Sequence, residues 1–593
     1  MKMLSALWFA VLLLFGAPAL ATPADDLNGV MRDHWSWFLA NNPVFATTLG
    51  VHDHDDKLAD ISLAAQDAQA RDAQGFVARL KAIADTTLSP ADRTNKGVLL
   101  RVLDEQIEGN RYGQRMMLFS TYDGWHQNFA SMADNLPLRL RADYESYLAR
   151  LALYPAFNAQ AMAITRTAIA QKFVQPCLAM AGFESTITGA VAGPPEATRF
   201  YAPFTKPRPI DMNDAQWRVM QARALTLIRD VVAPEYAKFN DLYVRAYKPR
   251  CAVAIGASAL PQGAAFYAYR ARVHTTTDKT PDQIHAIGQS EVTRIRGEME
   301  ALAKSAGYPS RAAFITKLRT DPKYFAKSPE ELLAWASRQA KIIDGKMPGY
   351  FGIVARLPYG VREIPKETAE TTTTAYYSGG SPETGLAGNF YVNTSKLDQR
   401  PLWEYAALTA HEAVPGHHQQ IALQQELKLP EFRKYAVGFT AFVEGWALYS
   451  EHLGIEMGLY DTPEKNMGRL SFEMWRACRL VVDTGMHAKN WGKAQAIAFM
   501  RDNTALSDAN IEAEVNRYIS WPGQALGYKI GELKIRELRA RAEGKLGTRF
   551  DLRRFHDAML GQGAVPLDVL ERQIDDWIAA EVARRWIAAL RSQ

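Results

Sequence analysis

Cysteine is scarce in this chain: Cys177, Cys251 and Cys478 are the only three among 593 residues. Three thiols cannot build a disulfide framework, and a core this long needs no covalent staples. Buried small hydrophobes is the plainest reading of them, although a Cys177–Cys251 bridge is conceivable in an exported protein. Charge of one sign is equally lacking, with 69 Lys and Arg against 64 Asp and Glu. No basic block and no aromatic–glycine–basic repeat is present, so nothing points to a nucleic-acid partner. There is no Gly/Ser-rich or Pro-rich linker and no internal repeat of fixed period. One large body, two-lobed and spanning 22–593, is therefore expected.

Long apolar runs are missing too, apart from the first residues. Lys2, the apolar stretch Leu4 to Phe15 and the small-x-small site Ala19-Leu20-Ala21 follow the order of a secretory signal. The apolar run is too short for a transmembrane helix, which needs about 20 residues. Residues 1–21 are thus expected to be a cleaved signal, and the protein exported to the periplasm or the medium. No cysteine follows the cleavage site to carry a lipid, and no later segment reads as a membrane span.

What is abundant is helical periodicity. Apolar residues recur three and four apart over 26–41, 64–85, 94–108, 138–153, 217–247, 281–306, 329–346, 401–414, 432–457, 470–491 and 565–590. Thr280-Pro281 and Ser328-Pro329 place a capping hydroxyl before a first-turn proline. Strand signals are few. The clearest is Gly388 to Thr394 after a turn-rich Ser378–Gly385, and Ala265 to Arg270 reads as strand or helix start. A mainly α fold with one small antiparallel sheet at the active site is expected.

Chemistry concentrates in His411-Glu412-Ala-Val-Pro415-Gly416-His417-His418. In the His-Glu-x-x-His motif two histidines four apart share a helix face and converge on zinc, and the Glu acts as general base. Here Pro415 stands where the second histidine belongs. On an unbroken helix His417 would lie about 9 Å along and about 240° around from His411, and His418 about 10.5 Å along, too far to share an ion. Pro and Gly are what a helix break needs, and a looped-out pair would bring His417, in preference to His418, into place. A third ligand is expected from Glu444, set in the apolar run Phe439–Trp446, where a lone carboxylate is costly to bury. Glu451, two turns on, could accept a hydrogen bond from a ligand histidine. His487 is a candidate donor into the cleft, and Arg476, Arg479 and Lys529 are candidates to bind a substrate carboxylate. His52-Asp53-His54-Asp55-Asp56 reads as a solvated loop.

These segments, together with Glu444-Gly-Trp-Ala-Leu-Tyr-Ser-Glu451 and Arg517-Tyr518-x-x-Trp-Pro-Gly-Gln-Ala-Leu-Gly-Tyr528-Lys-Ile-Gly, resemble the bacterial family called domain of unknown function 885. Thr280 to Gly288 and Arg479 to His487, which includes Asp483, extend the likeness over nearly all the mature chain. That family is grouped with zinc peptidases whose third ligand is a glutamate. The resemblance implies a helical, cleft-containing fold like those of angiotensin-converting enzyme and thimet oligopeptidase, with one Zn2+ per chain on His411, His417 and Glu444, and Glu412 as base. It implies that the zinc site is built from 411–451 with contributions from 480–530. It implies that Arg517-Tyr518 supplies an oxyanion donor, Tyr528 being the alternative, and that Arg517 is also a substrate-binding residue, with Asp483 and His418 as supporting groups. It also implies that Asn389, Phe390 and Tyr391 lie on an edge strand that pairs with an extended peptide. An exported zinc peptidase of short peptides is the expected function. A zinc hydrolase of other amides or esters, and a non-catalytic peptide-binding relative, are the competing readings.

Overall fold

The computed structural model describes residues 22–591 except 121–122, 366–368, 370–371 and 384. The expected export signal lies outside the described residues. The fold is mainly helical with one three-stranded sheet. The caps form where the sequence places them. Thr280 Oγ1 accepts from the Gln283 amide ahead of helix Pro281–Ser305, and Ser328 Oγ from Glu331 ahead of Pro329–Asp344. Ala265 to Arg270 belongs to helix Gly263–Thr275. The periodic run 432–457 splits into Glu431–Tyr435 and Thr440–Leu453.

Apolar side chains gather in separate cores. One is built from the N-terminal half, from Phe119 to Tyr247, and is rich in stacked aromatics such as Phe129 on Tyr154. Beside it Cys177 and Cys251 form a disulfide, so these two are a surface bridge and not buried hydrophobes; Cys478 alone is free and buried. Two further cores flank the short helix Tyr405–Glu412. Ala410 and Val414 enter one, and Ala407, Leu408 and Ala413 the other. Through the second runs helix Pro463–Ala488, buried without interruption from Met467 to His487. Its polar residues are therefore obliged to find partners within the protein.

The sheet has strands β1 (Tyr359–Glu363), β2 (Ala375–Ser378) and β3 (Gly388–Val392) in the order β1-β3-β2. β3 runs parallel to β1 and antiparallel to β2, so the sheet is mixed and not antiparallel. β3, carrying Asn389, Phe390 and Tyr391, is the central strand. Both of its backbone edges are occupied, and it cannot receive a peptide strand. Among the described residues, the unpaired edge that packs against helix Tyr405–Glu412 belongs to β2.

Burial also sets a pH response. His126 and His556 are pushed down to about 3 and His34 to about 4 by burial, below an ordinary value of 6.5. Such groups add stability above pH 6.5, and that stability is lost as the pH falls toward their folded values. Glu404, pushed up to about 8 by burial against the pull of Arg400 and Arg319, acts in the opposite sense between pH 4.5 and 8, but it is one group against these three and against His418 and His452, which burial lowers to about 4. Stability is expected to fall by on the order of 3–5 kcal/mol per pH unit between 6.5 and 4.5. Melting temperatures across that range check this; a flat profile would mean the histidines charge without leaving their sites.

Candidate metal centre

Helix Tyr405–Glu412 stops after Glu412, and a new helix, His417–Glu426, begins at His417. Between them Ala413 and Gly416 have non-helical dihedrals and the Val414–Pro415 peptide is cis. The His418 amide then reaches back to the Ala413 carbonyl at 3.0 Å. Gly416 is required by contact, not by φ: a Cβ there would meet the His411 carbonyl oxygen at 1.9 Å. Trp446 Nε1 donates to the Pro415 carbonyl at 2.8 Å, tying the loop to helix Thr440–Leu453.

That loop turns His417 back beside His411. The two rings meet edge to face at 4.8 Å, and donor atoms of His411, His417 and Glu444 all lie within 4.8 Å of one another. Nε2 of His411 is 3.5 Å and Nε2 of His417 3.4 Å from Glu444 Oε2. These separations are too long for good hydrogen bonds, which lie at 2.7–3.2 Å. They suit donors sharing one tetrahedral ion, which at bond lengths of 2.0–2.2 Å lie roughly 3.3–3.6 Å apart. Glu444 Oε2 is buried without a hydrogen-bond partner. His411 Nδ1 donates to Glu451 at 2.8 Å, so that Nε2 is the ring nitrogen left facing Glu444. Arg476 in turn pairs with Glu451 at 3.2 Å.

The electrostatics are those of a site short of positive charge. Burial works against ionised Glu444, yet the neighbouring His417 and His411 hold its carboxyl well below the usual range. Burial and Arg476 oppose a proton on His411, but Glu444 and Glu451 raise it to about 9. A cation here competes with that proton, so occupancy is expected to rise with pH. Glu412, next to His411 and buried, has no hydrogen-bond or ion-pair partner among the described residues. Glu444 also lines a cleft of about 740 Å³, with Gln420, Val443, Gly379 and Gly380 beside the end of β2, and Trp521 and Gln524.

The family model described as "Bacterial protein of unknown function (DUF885)" matches residues 43–574. The chain belongs to this family. A solved structure of a "putative lipoprotein" from Colwellia psychrerythraea is similar over 95% of this chain and 100% of that one, with 26% identity and a TM-score of 0.88. Another, of a "putative lipoprotein of unknown function" from Shewanella oneidensis, spans 93% and 99% at 19% identity and a TM-score of 0.70, a likeness of fold alone. No curated protein matches the chain.

In this DUF885 chain the other expected site residues separate into near and far. Tyr528 is near: its ring lies parallel to that of His411 at 6.3 Å, and its hydroxyl accepts from Arg517 at 3.2 Å. Helix Gly527–Leu546 reaches this position by crossing Thr440–Leu453 at glycines, where a Cβ on Gly531 would meet the Ala441 carbonyl oxygen at 1.9 Å. Arg517 also binds Gln524, so it positions Tyr528 and is not a free carboxylate binder. Tyr518 is a correction: its buried hydroxyl accepts from Trp475 Nε1 and Arg479 Nε, and Arg479 is itself paired with Glu514. His487 is another, since Nδ1 accepts from the Ala257 amide and Nε2 donates to the Tyr518 carbonyl. Asp483 binds Tyr267 and the Gly523 amide, and His418 binds Tyr377 of β2; neither side chain hydrogen-bonds to His411, His417 or Glu444. Lys529 is fully buried among Glu291, Glu473 and Glu532, out of a substrate's reach. His52 and Asp55 pair in an exposed turn.

Sequence reasoning missed Trp446 and Arg476 as positioning groups. Both lay in plain view, Trp446 inside the Glu-Gly-Trp segment, but only the fold shows that one braces Pro415 and the other Glu451. Gly416→Ala is expected to push His417 off the shared centre and to weaken divalent-cation affinity about 10–100-fold, as loss of supporting groups does. Titration with zinc against a competing chelator measures it, and unchanged affinity would mean the loop is free to shift.

Proposed function

We propose that the protein is an exported zinc-dependent peptidase acting on short peptides. The observation that carries this reading is the convergence of His411, His417 and Glu444 across a broken helix, with an unpartnered Glu412 beside them. Two imidazoles and one carboxylate with room for a fourth ligand is the donor set of catalytic zinc sites. When bound there, zinc would supply Lewis acidity to a scissile carbonyl and lower the pKa of the attacking water.

The chain's own residues do the rest. Glu451, steadied by Arg476, keeps the His411 ring turned so that Nε2 stays a donor. Glu412 takes the proton of the attacking water and delivers it to the leaving amine. The Tyr528 hydroxyl, with Arg517 on its lone pair, keeps its own proton to donate to the developing oxyanion. An extended peptide finds unpaired backbone on β2, where main-chain hydrogen bonds would hold it with little side-chain selectivity. Export is supported by the Cys177–Cys251 disulfide, by the lipoprotein description of the Colwellia relative and by the signal-like first residues. No helix among the described residues is long and apolar enough to cross a membrane.

Metal analysis and a peptide-library digest test the reading together. About one zinc per chain is expected, lost in His411→Ala, and chelation is expected to abolish peptide cleavage. Zinc retained with cleavage of small amides or esters but no peptides would move the protein to another hydrolase class. Absence of bound metal at neutral pH would remove the reading.

A further inference from the structure

Trp521 lines both the cleft that holds Glu444 and a second cavity of about 300 Å³. This cavity lies between helix Gly263–Thr275, the segments joined near the disulfide, and residues 519–522. Its walls are largely apolar, with Val174, Ile255, Leu260 and Phe266. Its size is at the small end of ligand pockets, that of one residue with part of a second.

Two polar groups in its lining are incompletely matched. Arg270 donates from Nε to the Pro522 carbonyl at a long 3.4 Å and from one Nη to His274 Nε2 at 2.5 Å. No carboxylate lies within ion-pair distance of it among the described residues. Arg270 is half-buried and has no acid, whereas several fully buried arginines meet a carboxylate or a set of carbonyls. Arg479 and Arg476 meet Glu514 and Glu451, and Arg150, which also lacks an acid, donates to three carbonyls and the Thr47 hydroxyl. Burial disfavours the charge on Arg270, and neighbouring Tyr269 with Asp483 and Glu105 only partly offset it. The second group is Gln114, whose Nε2 donates to the Pro261 carbonyl while its buried Oε1 receives nothing. A guanidinium without an acid beside an acceptor without a donor, in an apolar chamber, matches one chemistry: a carboxylate, an N–H and an apolar side chain in a single residue.

We infer that this cavity seats an apolar residue with a free carboxylate, the carboxylate on Arg270 and its amide N–H on Gln114. Two sources present that chemistry, the C-terminal residue of a peptide lying past Trp521 and a free N-acyl amino acid. The first rests on the peptidase reading; the cavity's preference for a carboxylate does not.

The test is calorimetric titration of N-acetyl-L-leucine and N-acetyl-L-leucinamide into the wild-type protein. The acid is expected to bind at least tenfold more tightly. The preference should persist in His411→Ala, which excludes a carboxylate on the metal, and vanish in Arg270→Met. Ala254→Phe, at an exposed position on the cavity wall, should weaken both ligands without touching the guanidinium. Equal binding of acid and amide, or a preference that survives Arg270→Met, overturns the inference. Inhibition by N-acetyl-L-leucine of the cleavage of peptides ending in free leucine, but not of their amides, assigns the seat to the substrate terminus. Binding that leaves cleavage unchanged assigns it to a free carboxylate. If no peptide is cleaved while the acid is still preferred, the peptidase reading falls and the cavity stands.

Discussion

Glu412→Gln is expected to keep the fold and the zinc and to lose a factor of about 10²–10⁴ in peptide turnover, the usual contribution of a positioned general base. The substitution is nearly isosteric, and no ion pair or hydrogen bond is broken, since none reaches Glu412 among the described residues. That is unusual for a buried carboxylate. Its neighbours Glu444 and Glu451 are engaged by His411, His417 and Arg476, whereas Glu412 is held beside them with its oxygens uncommitted. A structural role would make Gln cost stability; a catalytic role makes it cost rate alone. The pair of measurements is therefore melting temperature and kcat at saturating peptide, with metal content as a control. Unchanged turnover with zinc bound would remove Glu412 as the base and leave the donor set without a proton acceptor.

The same site shows how far the sequence could be read. The helix break at Pro415-Gly416 follows from arithmetic alone, because an unbroken helix cannot bring His417 round to His411. Glu444 is legible because an isolated carboxylate in an apolar run demands an explanation. What sequence cannot provide is which of several plausible polar groups faces the cleft. Tyr518 and Tyr528 are ten residues apart, both buried, and differ only in their surroundings: Trp475 and Arg479 occupy the first, while the second lies against His411. His487 has the right residue type on a helix buried all round, so its periodicity carries no facing information. β3 reads as a strand but not as a central one. The parallel partner β1 lies about 30 residues upstream, beyond the reach of hairpin logic. The fold class, in contrast, rests on long periodic segments and strong caps, which are local signals.

Lys529→Met is expected to be the most destabilising of the single changes considered, and it turns on the residue whose role composition suggests least well. Lys529 is wholly buried, 2.9 Å from both Glu473 and Glu532 and 3.0 Å from Glu291. Glu473 is also held by Arg294 and by Arg469, so the cluster joins helices Pro281–Ser305, Pro463–Ala488 and Gly527–Leu546. Burial opposes the ammonium, but Glu532, Glu473 and Glu291 overcome it and hold its pKa above the ordinary lysine range. Methionine keeps the length of the stem and removes the charge, leaving carboxylates facing one another in the interior. Breaking one partner out of a buried ionic cluster costs about 3–5 kcal/mol. For a chain of this size that lowers the melting temperature by about 3–4 °C if unfolding is a single transition, and by more if these helices melt alone. Because Tyr528 is the next residue, some loss of turnover should accompany it. Pairing Lys529→Met with Glu532→Gln removes one of the stranded charges and should recover part of the stability. A double variant no better than the single one would mean that Lys529 acts through packing and not through its charge.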